Sequence, residues 1–318
     1  MKILITGGTG YLAGRIAQYL NNKNGYQIII GTSKYLEVQR ISSKFNVLHI
    51  NWDSDENLQL ICKGIDTIIH LAGINASDSL SDTIKALEFN GVNTGKLLRS
   101  AVKSGVTKFI YFSTAHVYKN PLIGIITEET LPLSLHPYAT SHRAGEDMVL
   151  AAHSRNEIEG IVFRLSNSIG APVNKETNCW MLLANDLCKQ VIISGKMKLV
   201  TNGMQRRNFI TITDVCRAVE YFLKFDFVLS KHNLFNLGGN WSPSVWELAV
   251  IISRLSANIL GYEPQITRIK PSSSDIPENL EYKISKLEET GFIFCNNHEE
   301  EILKLLQFCN SNFSITKK

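Results

Sequence analysis

The sequence predicts an α/β fold, a doubly wound parallel sheet followed by a smaller C-terminal lobe. Three observations predict it. Apolar runs of strand length alternate with helix-length segments through the first half. Those runs are nearly unbroken Ile, Val, Leu and Phe, as strands buried on both faces require. A glycine-rich turn stands between the first run and the first helix.

The first strand is Lys2–Thr6, leading into a helix over Tyr11–Asn22. A strand at Gln27–Gly31 and a helix at Leu36–Lys44 follow, then a strand at Val47–Ile50 and a helix at Glu56–Lys63. The strand Thr67–Leu71 precedes a long helix over Asp82–Ser104; Lys108–Ser113, the helix Pro137–Arg155 and the strand Gly160–Leu165 complete the alternation. Such a rhythm implies right-handed βαβ units. After Gly170 it breaks. Ala171–Val200 reads as helical and irregular, followed by a strand at Phe209–Ile212, a helix at Asp214–Phe225, a strand at Leu234–Leu237 and a helix at Ser242–Leu260. The end mixes a Pro/Ser stretch (Lys270–Pro277) with helical runs.

The 318 residues are 44% hydrophobic and 19% charged, enough apolar material for a core and unlike a disordered chain. A net charge of +4, with the basic residues scattered, argues against nucleic-acid or membrane-surface partners. No apolar run reaches the ~18 residues of a membrane span. The strand begins almost at Met1, leaving no room for a leader, so a cytoplasmic chain is expected. The six cysteines contain no C-x-x-C pair and read as reduced thiols. The histidines form no cluster and Asp53 and Asp55 read as helix N-caps, so no metal is expected.

In Thr6-Gly7-Gly8-Thr9-Gly10-Tyr11-Leu12-Ala13-Gly14, Gly7 permits the tight turn and Gly10 a close backbone approach, while Ala13 or Gly14 keeps the helix near the sheet. The helix N-terminus presents N–H groups and partial positive charge to phosphates. This is the context of a Rossmann dinucleotide site. Gly7, Gly10, Tyr11 and Leu12 are therefore candidate cofactor contacts. The predicted division is a dinucleotide-binding domain at 1–170 and a substrate-binding lobe at 171–318, with part of 207–240 returning to the sheet. At the end of the second strand, where a carboxylate would hold the ribose of NAD, the chain has Thr32-Ser33-Lys34. Two hydroxyls and a cation suit a 2′-phosphate, so NADP is favoured over NAD.

Further segments extend the pattern: Asp66-Thr67-Ile68-Ile69-His70-Leu71-Ala72-Gly73, Asn90 with Thr94, Ser113-Thr114-Ala115-His116-Val117-Tyr118, Pro137-Tyr138, and Arg164-Leu165-Ser166-Asn167. Arg207-Asn208-Phe209-Ile210 with Asp214-Val215, and Phe235-Asn236-Leu237-Gly238-Gly239, come later. With these, the chain resembles an extended short-chain dehydrogenase/reductase of the nucleotide-sugar epimerase, dehydratase and reductase branch. The resemblance implies that Leu71-Ala72-Gly73 lies along the cofactor, that Asn51-Trp52 lies near the adenine, and that Asn90 belongs to the cofactor site. It implies catalytic hydroxyls at Thr114 and Tyr138, a diphosphate or sugar contact at Arg207, and a place for Asn167 where substrate enters. It also implies a homodimer through two long helices, Asp82–Ser104 and Pro137–Arg155. Leu87, Leu97, Leu98 and Val102 fit that interface or an ordinary core.

The family places a lysine four residues after the tyrosine, lowering its pKa and binding the nicotinamide ribose. Here that position is His142. A histidine can bond a ribose hydroxyl but is mostly neutral at pH 7 and supplies less field. Arg143 is about 100° round the helix and points elsewhere. Three readings stay open: His142 substitutes and joins Tyr138 and Thr114 in catalysis and cofactor binding; the chain works mainly as a reductase, which needs only a protonated tyrosine; or it binds dinucleotide without catalysis. His116 reads as a loop residue or a group facing substrate, and Glu146 as a helix-surface or salt-bridging carboxylate. The family's late Arg-x-Gly-Asp and Asp-x-Ser-Lys elements correspond to Lys270-Pro271-Ser272-Ser273-Ser274-Asp275 and Lys283-Ile284-Ser285-Lys286, with the arginine and glycine lost. Arg206, Arg207 and Lys270 remain as candidate diphosphate contacts. The leading expectation is an NAD(P)-dependent oxidoreductase or epimerase of a nucleotide-linked sugar, such as a 4-keto-sugar reductase. A silent dinucleotide-binding protein and a reductase of an unrelated ketone are the alternatives.

Overall fold

The computed structural model describes the chain apart from Thr9 and residues 35–44, 226–231, 273–277 and 315–318. The helix expected over Leu36–Lys44, and Ser273–Asp275, lie outside the described residues. In chain order the first half contains β1 (Lys2–Thr6), α1 (Tyr11–Asn21), β2 (Gln27–Thr32), β3 (Asn46–His49), α2 (Asp55–Cys62), β4 (Thr67–His70), α3 (Ala76–Ser81), α4 (Thr83–Leu87), α5 (Asn93–Lys103), β5 (Lys108–Thr114), β6 (Gly124–Ile126), α6 (Pro137–Ser154), β7 (Glu159–Leu165) and β8 (Asn167–Ile169). The remainder contains α7 (Leu183–Ser194), β9 (Lys196–Lys198), β10 (Phe209–Thr211), α8 (Ile212–Lys224), β11 (Leu234–Leu237), α9 (Val245–Leu260), β12 (Gln265–Thr267), β13 (Leu280–Tyr282), α10 (Ser285–Glu289) and α11 (His298–Phe313).

Seven strands form one parallel sheet in the order β3-β2-β1-β4-β5-β7-β11, a doubly wound Rossmann-like α/β fold. Thr6 of β1 pairs with Gly31 on one side and His70 on the other, so the ends of β1, β2 and β4 lie level. The strand order reverses between β1 and β4. Ligands of open α/β sheets bind in the crevice at such a point, beyond the strand carboxyl ends. β10 stays outside the sheet and pairs with β8, whereas β11 forms its edge beside β7.

Side-chain alternation builds two cores. Ile3, Ile5, Ile110 and Phe163 face α1 and α8, where Ile16, Leu20, Val219 and Phe222 meet them. Leu4, Ile68, Phe109 and Tyr111 face the other way, onto Leu58, Leu97, Leu98 and Val149. A third core joins α7, α9 and α11 through Leu187, Val191, Leu248, Ile252 and Leu305. Among the described residues no helix is long and apolar enough to cross a membrane.

The sequence misreads two local features. The helix expected over Asp82–Ser104 runs from Thr83 to Lys103 but widens into a π-helical turn at Glu88–Val92, between α4 and α5. Pattern alone misses it because the cause is tertiary: the Asn90 side chain is held by α6 and the β4–α3 loop. The cap of α2 is Ser54, not Asp53 or Asp55; its hydroxyl accepts from the Asn57 N–H at 3.2 Å, while Asp55 sits in the first turn. The small strands β6, β8, β9, β12 and β13 were not legible, each being three residues long and paired only with another short segment.

Candidate functional site

The glycine turn is built as a cradle. Gly7 and Gly8 have φ of 100° and 58°, and a Cβ on Gly7 would stand 3.0 Å from the Leu71 carbonyl carbon. The turn is pinned by Gly8 N–H donating to Gly31 O and Gly10 N–H to Gly7 O, both at 3.0 Å. Among the described residues no side chain caps the first turn of α1, whose amides lie at the crevice. These features fit a dinucleotide's pyrophosphate. Tyr11 differs from expectation in detail: its hydroxyl is buried and donates to Gly170 O at 2.8 Å, so its phenol ties α1 to the residue that follows β8. Leu12, beside it, packs against the core under α1.

A buried hydrogen-bond chain holds the loop after β4. Thr6 Oγ1 accepts from the Leu71 and Ala72 N–H groups at 3.2 Å and meets His70 Nδ1 at 2.7 Å. His70 Nε2 meets Thr94 Oγ1 at 2.9 Å, and Thr94 donates to Asn90 O at 2.7 Å. Burial, with a minor contribution from His142, lowers His70 to about 3, so it is a neutral connector. Asn90 accepts from Ile74 N–H at 2.7 Å and donates to Ser141 at 2.9 Å, joining this loop to α6. Asn90 is therefore a strut beneath the loop.

At the end of β2, Thr32 is buried and accepts from the Lys34 N–H, while Ser33 and Lys34 are exposed. Asn51 Oδ1 accepts from Asp53 N–H, and Trp52 packs edge-on against Phe89 with its indole nitrogen unpartnered.

The reactive groups gather at the start of α6. His136 caps the helix, Nδ1 accepting from the Tyr138 N–H at 3.2 Å, and Pro137 occupies the first turn. One turn on, the rings of Tyr138 and His142 stand 4.6 Å apart, edge to face. Burial pushes the Tyr138 phenol above its ordinary pKa, and the adjacent Thr114 hydroxyl opposes this more weakly. Burial pulls His142 down to about 4, so its ring is neutral at pH 7. A Cβ on Gly73 would stand 3.4 Å from His142 Cε1, which places the imidazole against the Leu71-Ala72-Gly73 loop.

His116 lies in a short 3-10 turn with its ring 6.4 Å from Tyr138, and burial together with the Arg207 and His136 charges lowers its pKa. Arg207 is half-buried, and burial lowers its pKa too. Arg206 is committed elsewhere, pairing with Glu247 at 3.2 Å and donating to Ser242 O. Asn167 donates from Nδ2 to Asn208 O at 2.9 Å, which directs it back into the fold. Lys283 and Lys286 pair with Glu281 and Glu129, whereas Lys270 is exposed. Glu146 and Arg164 form a fully buried ion pair at 2.7 Å, and Arg143 points out to Asp147. Among the described residues no three His, Cys, Asp or Glu side chains converge to hold a metal.

Sequence reasoning missed Tyr111, whose hydroxyl lies 3.0 Å from His142 Nδ1. Its signal was a hydroxyl set between Ile110 and Phe112 in the apolar middle of β5.

Comparison with known proteins agrees with this architecture. A sequence model of the NAD dependent epimerase/dehydratase family matches residues 3–238. The mouse protein dTDP-D-glucose 4,6-dehydratase is 28% identical over 334 residues, covering 98% of this chain and 89% of its own. The crystal structure of Thermotoga maritima UDP-glucose 4-epimerase with UDP-glucose superposes with a TM-score of 0.80 at 20% identity, covering 98% of this chain and 99% of that one. That of Bacillus cereus UDP-glucuronic acid 4-epimerase with NAD gives 0.79 at 22% identity, with the same coverage. With most of its length matched and the glycine cradle in place, the chain belongs to the NAD dependent epimerase/dehydratase family.

Proposed function

We propose that this chain is an NAD(P)-dependent oxidoreductase acting on a nucleotide-linked sugar, working as a 4-keto-sugar reductase. One observation carries the direction: the ring one helical turn from Tyr138, 4.6 Å away, is a buried His142 in place of a lysine, and burial raises the pKa of the phenol and lowers that of the imidazole. When bound, the nicotinamide exchanges a hydride with the sugar carbon. Reduction then asks Tyr138 to give a proton to the developing alkoxide, and a protonated phenol is ready for that. Oxidation or epimerisation starts from an alcohol and asks for a tyrosinate, which among the described residues only the Thr114 hydroxyl favours, and more weakly than burial opposes it. Thr114 beside Tyr138 would hold the carbonyl oxygen, and Gly7, Gly10, Leu12, Leu71, Ala72 and Gly73 would line the dinucleotide. Arg207, half-buried near His116, is the cation best placed for the substrate's diphosphate, with exposed Lys270 a second candidate, since Arg206 is paired.

The cofactor is a nicotinamide dinucleotide. Neighbouring solved structures are complexes with NAD, whereas Ser33 and Lys34 at the β2 end suit a 2′-phosphate, so titration with NADH and NADPH decides. Incubation with a nucleotide-linked 4-keto-hexose and reduced cofactor tests the reaction. Stoichiometric cofactor oxidation supports it; sugar interconversion without net cofactor consumption would make the chain an epimerase. The second reading, a silent dinucleotide-binding protein, is favoured by the missing lysine and would be established by tight cofactor binding with no turnover on any such sugar.

We also propose a homodimer and a cytoplasmic chain. Ile84, Leu87, Val92 and Met148 are exposed on the α4–α5 and α6 side, which supports the dimer, while Leu97 and Leu98 are core. All six cysteines are unpaired.

A further inference from the structure

Tyr111 sits on β5 with 1% exposure, and its hydroxyl reaches three acceptors: His142 Nδ1 at 3.0 Å, His142 O at 3.3 Å and Asn90 O at 3.5 Å. A phenol has one proton to give. The Asn90 carbonyl also takes the Thr94 hydroxyl and the His142 carbonyl serves the α6 hydrogen-bond ladder; each keeps a second lone pair, so distance decides among the three. Nδ1 is the nearest acceptor. Burial raises Tyr111 well above its ordinary value, so it remains a donor throughout the working pH range.

A neutral imidazole has one N–H, and the bond made by one nitrogen decides which bears it. With Nδ1 accepting from Tyr111, the proton is on Nε2. The Nε2 edge faces the cofactor loop: a Cβ on Gly73 would stand 3.6 Å from it. We propose that Tyr111 is a positioning residue that fixes the tautomer of His142, holding its proton on Nε2 so that the ring donates a hydrogen bond into the cleft beside Gly73. A neutral histidine then provides a donor where the family's lysine provides one. This rests on the reading that His142 serves the cofactor site.

Nitrogen NMR of histidine-labelled protein, with His142 assigned by loss of its signals in His142→Gln, reads the tautomer directly. The Nε2–H form is expected in the unmodified protein at neutral pH; the Nδ1–H form would overturn the proposal, whatever any variant does. Tyr111→Phe is expected to weaken NADH or NADPH binding about tenfold. In a His142→Lys background the same change is expected to cost less than about twofold, because an ammonium donates in any rotamer. Equal losses in both backgrounds would mean that Tyr111 only packs, and would also overturn it. Should His142→Ala leave cofactor affinity and turnover untouched, the cofactor role of His142 falls, and the measured tautomer still decides the claim about Tyr111.

Discussion

Tyr138 and His142 share one turn of α6 with their rings 4.6 Å apart, and neither carries charge at neutral pH. The consequence is directional. Replacing His142 by Lys brings an ammonium to the phenol, stabilises tyrosinate and lowers the Tyr138 pKa. Oxidation of an alcohol substrate is expected to gain about tenfold over reduction in His142→Lys, with the limb of its pH–rate profile moved to lower pH. Steady-state rates in both directions check this; equal effects on the two would count against the field explanation. In the unmodified protein, reduction is expected to be flat from about pH 5 to about pH 9. His142 does not protonate until about 4, and the phenol loses its proton only above its ordinary range. A break near neutrality in that profile would assign the proton to another group.

At the scale of elements, α6 is anchored to β7 by the Glu146–Arg164 pair, side chains 0% and 1% exposed. Arg164 also lies 4.7 Å over the Tyr118 ring, and Tyr118 donates to Asn236 of β11. The strands β7 and β11, and the turn that follows β5, are thus tied to the helix that carries Tyr138. Breaking a buried pair by removing one partner leaves an uncompensated charge. Glu146→Ala is expected to destabilise the fold by about 3–5 kcal/mol in urea unfolding. A loss under about 1 kcal/mol would mean that water reaches Arg164.

For the whole molecule, two buried neutral histidines link stability to pH. His70 and His142 are lowered to about 3 and about 4, against about 6.5 in an unfolded chain. Their folded-state pKa values are depressed, so the unfolded chain binds protons first. Stability is full above about 6.5 and is lost as pH falls towards 4, by up to about 1.4 kcal/mol per pH unit per histidine. Urea midpoints at pH 7 and pH 5 are expected to differ accordingly, and His142→Gln should flatten part of the slope. Self-association is the second property at this scale. Met148→Glu and Ile84→Glu place charge on the exposed apolar face and are expected to yield monomers in sedimentation. A monomeric parent protein would remove that face as an interface.

The sequence by itself determined the sheet. Short unbroken apolar runs bounded by turn residues suit strands with both faces covered, and the glycines that precede α1 permit the positive φ that the turn needs; both are local properties. It also located the functional positions, because Tyr138 and His142 lie one helical turn apart on any α6. Only the tertiary structure decided what those positions do electrostatically. That Arg206 is spent on Glu247, that Tyr11 ties its phenol to Gly170, and that Tyr111 meets His142 depend on contacts across 31 to 159 residues of chain. Desolvation belongs to the same class. The charge state of a phenol or an imidazole follows from how much water the surrounding elements remove, and only their packing specifies that.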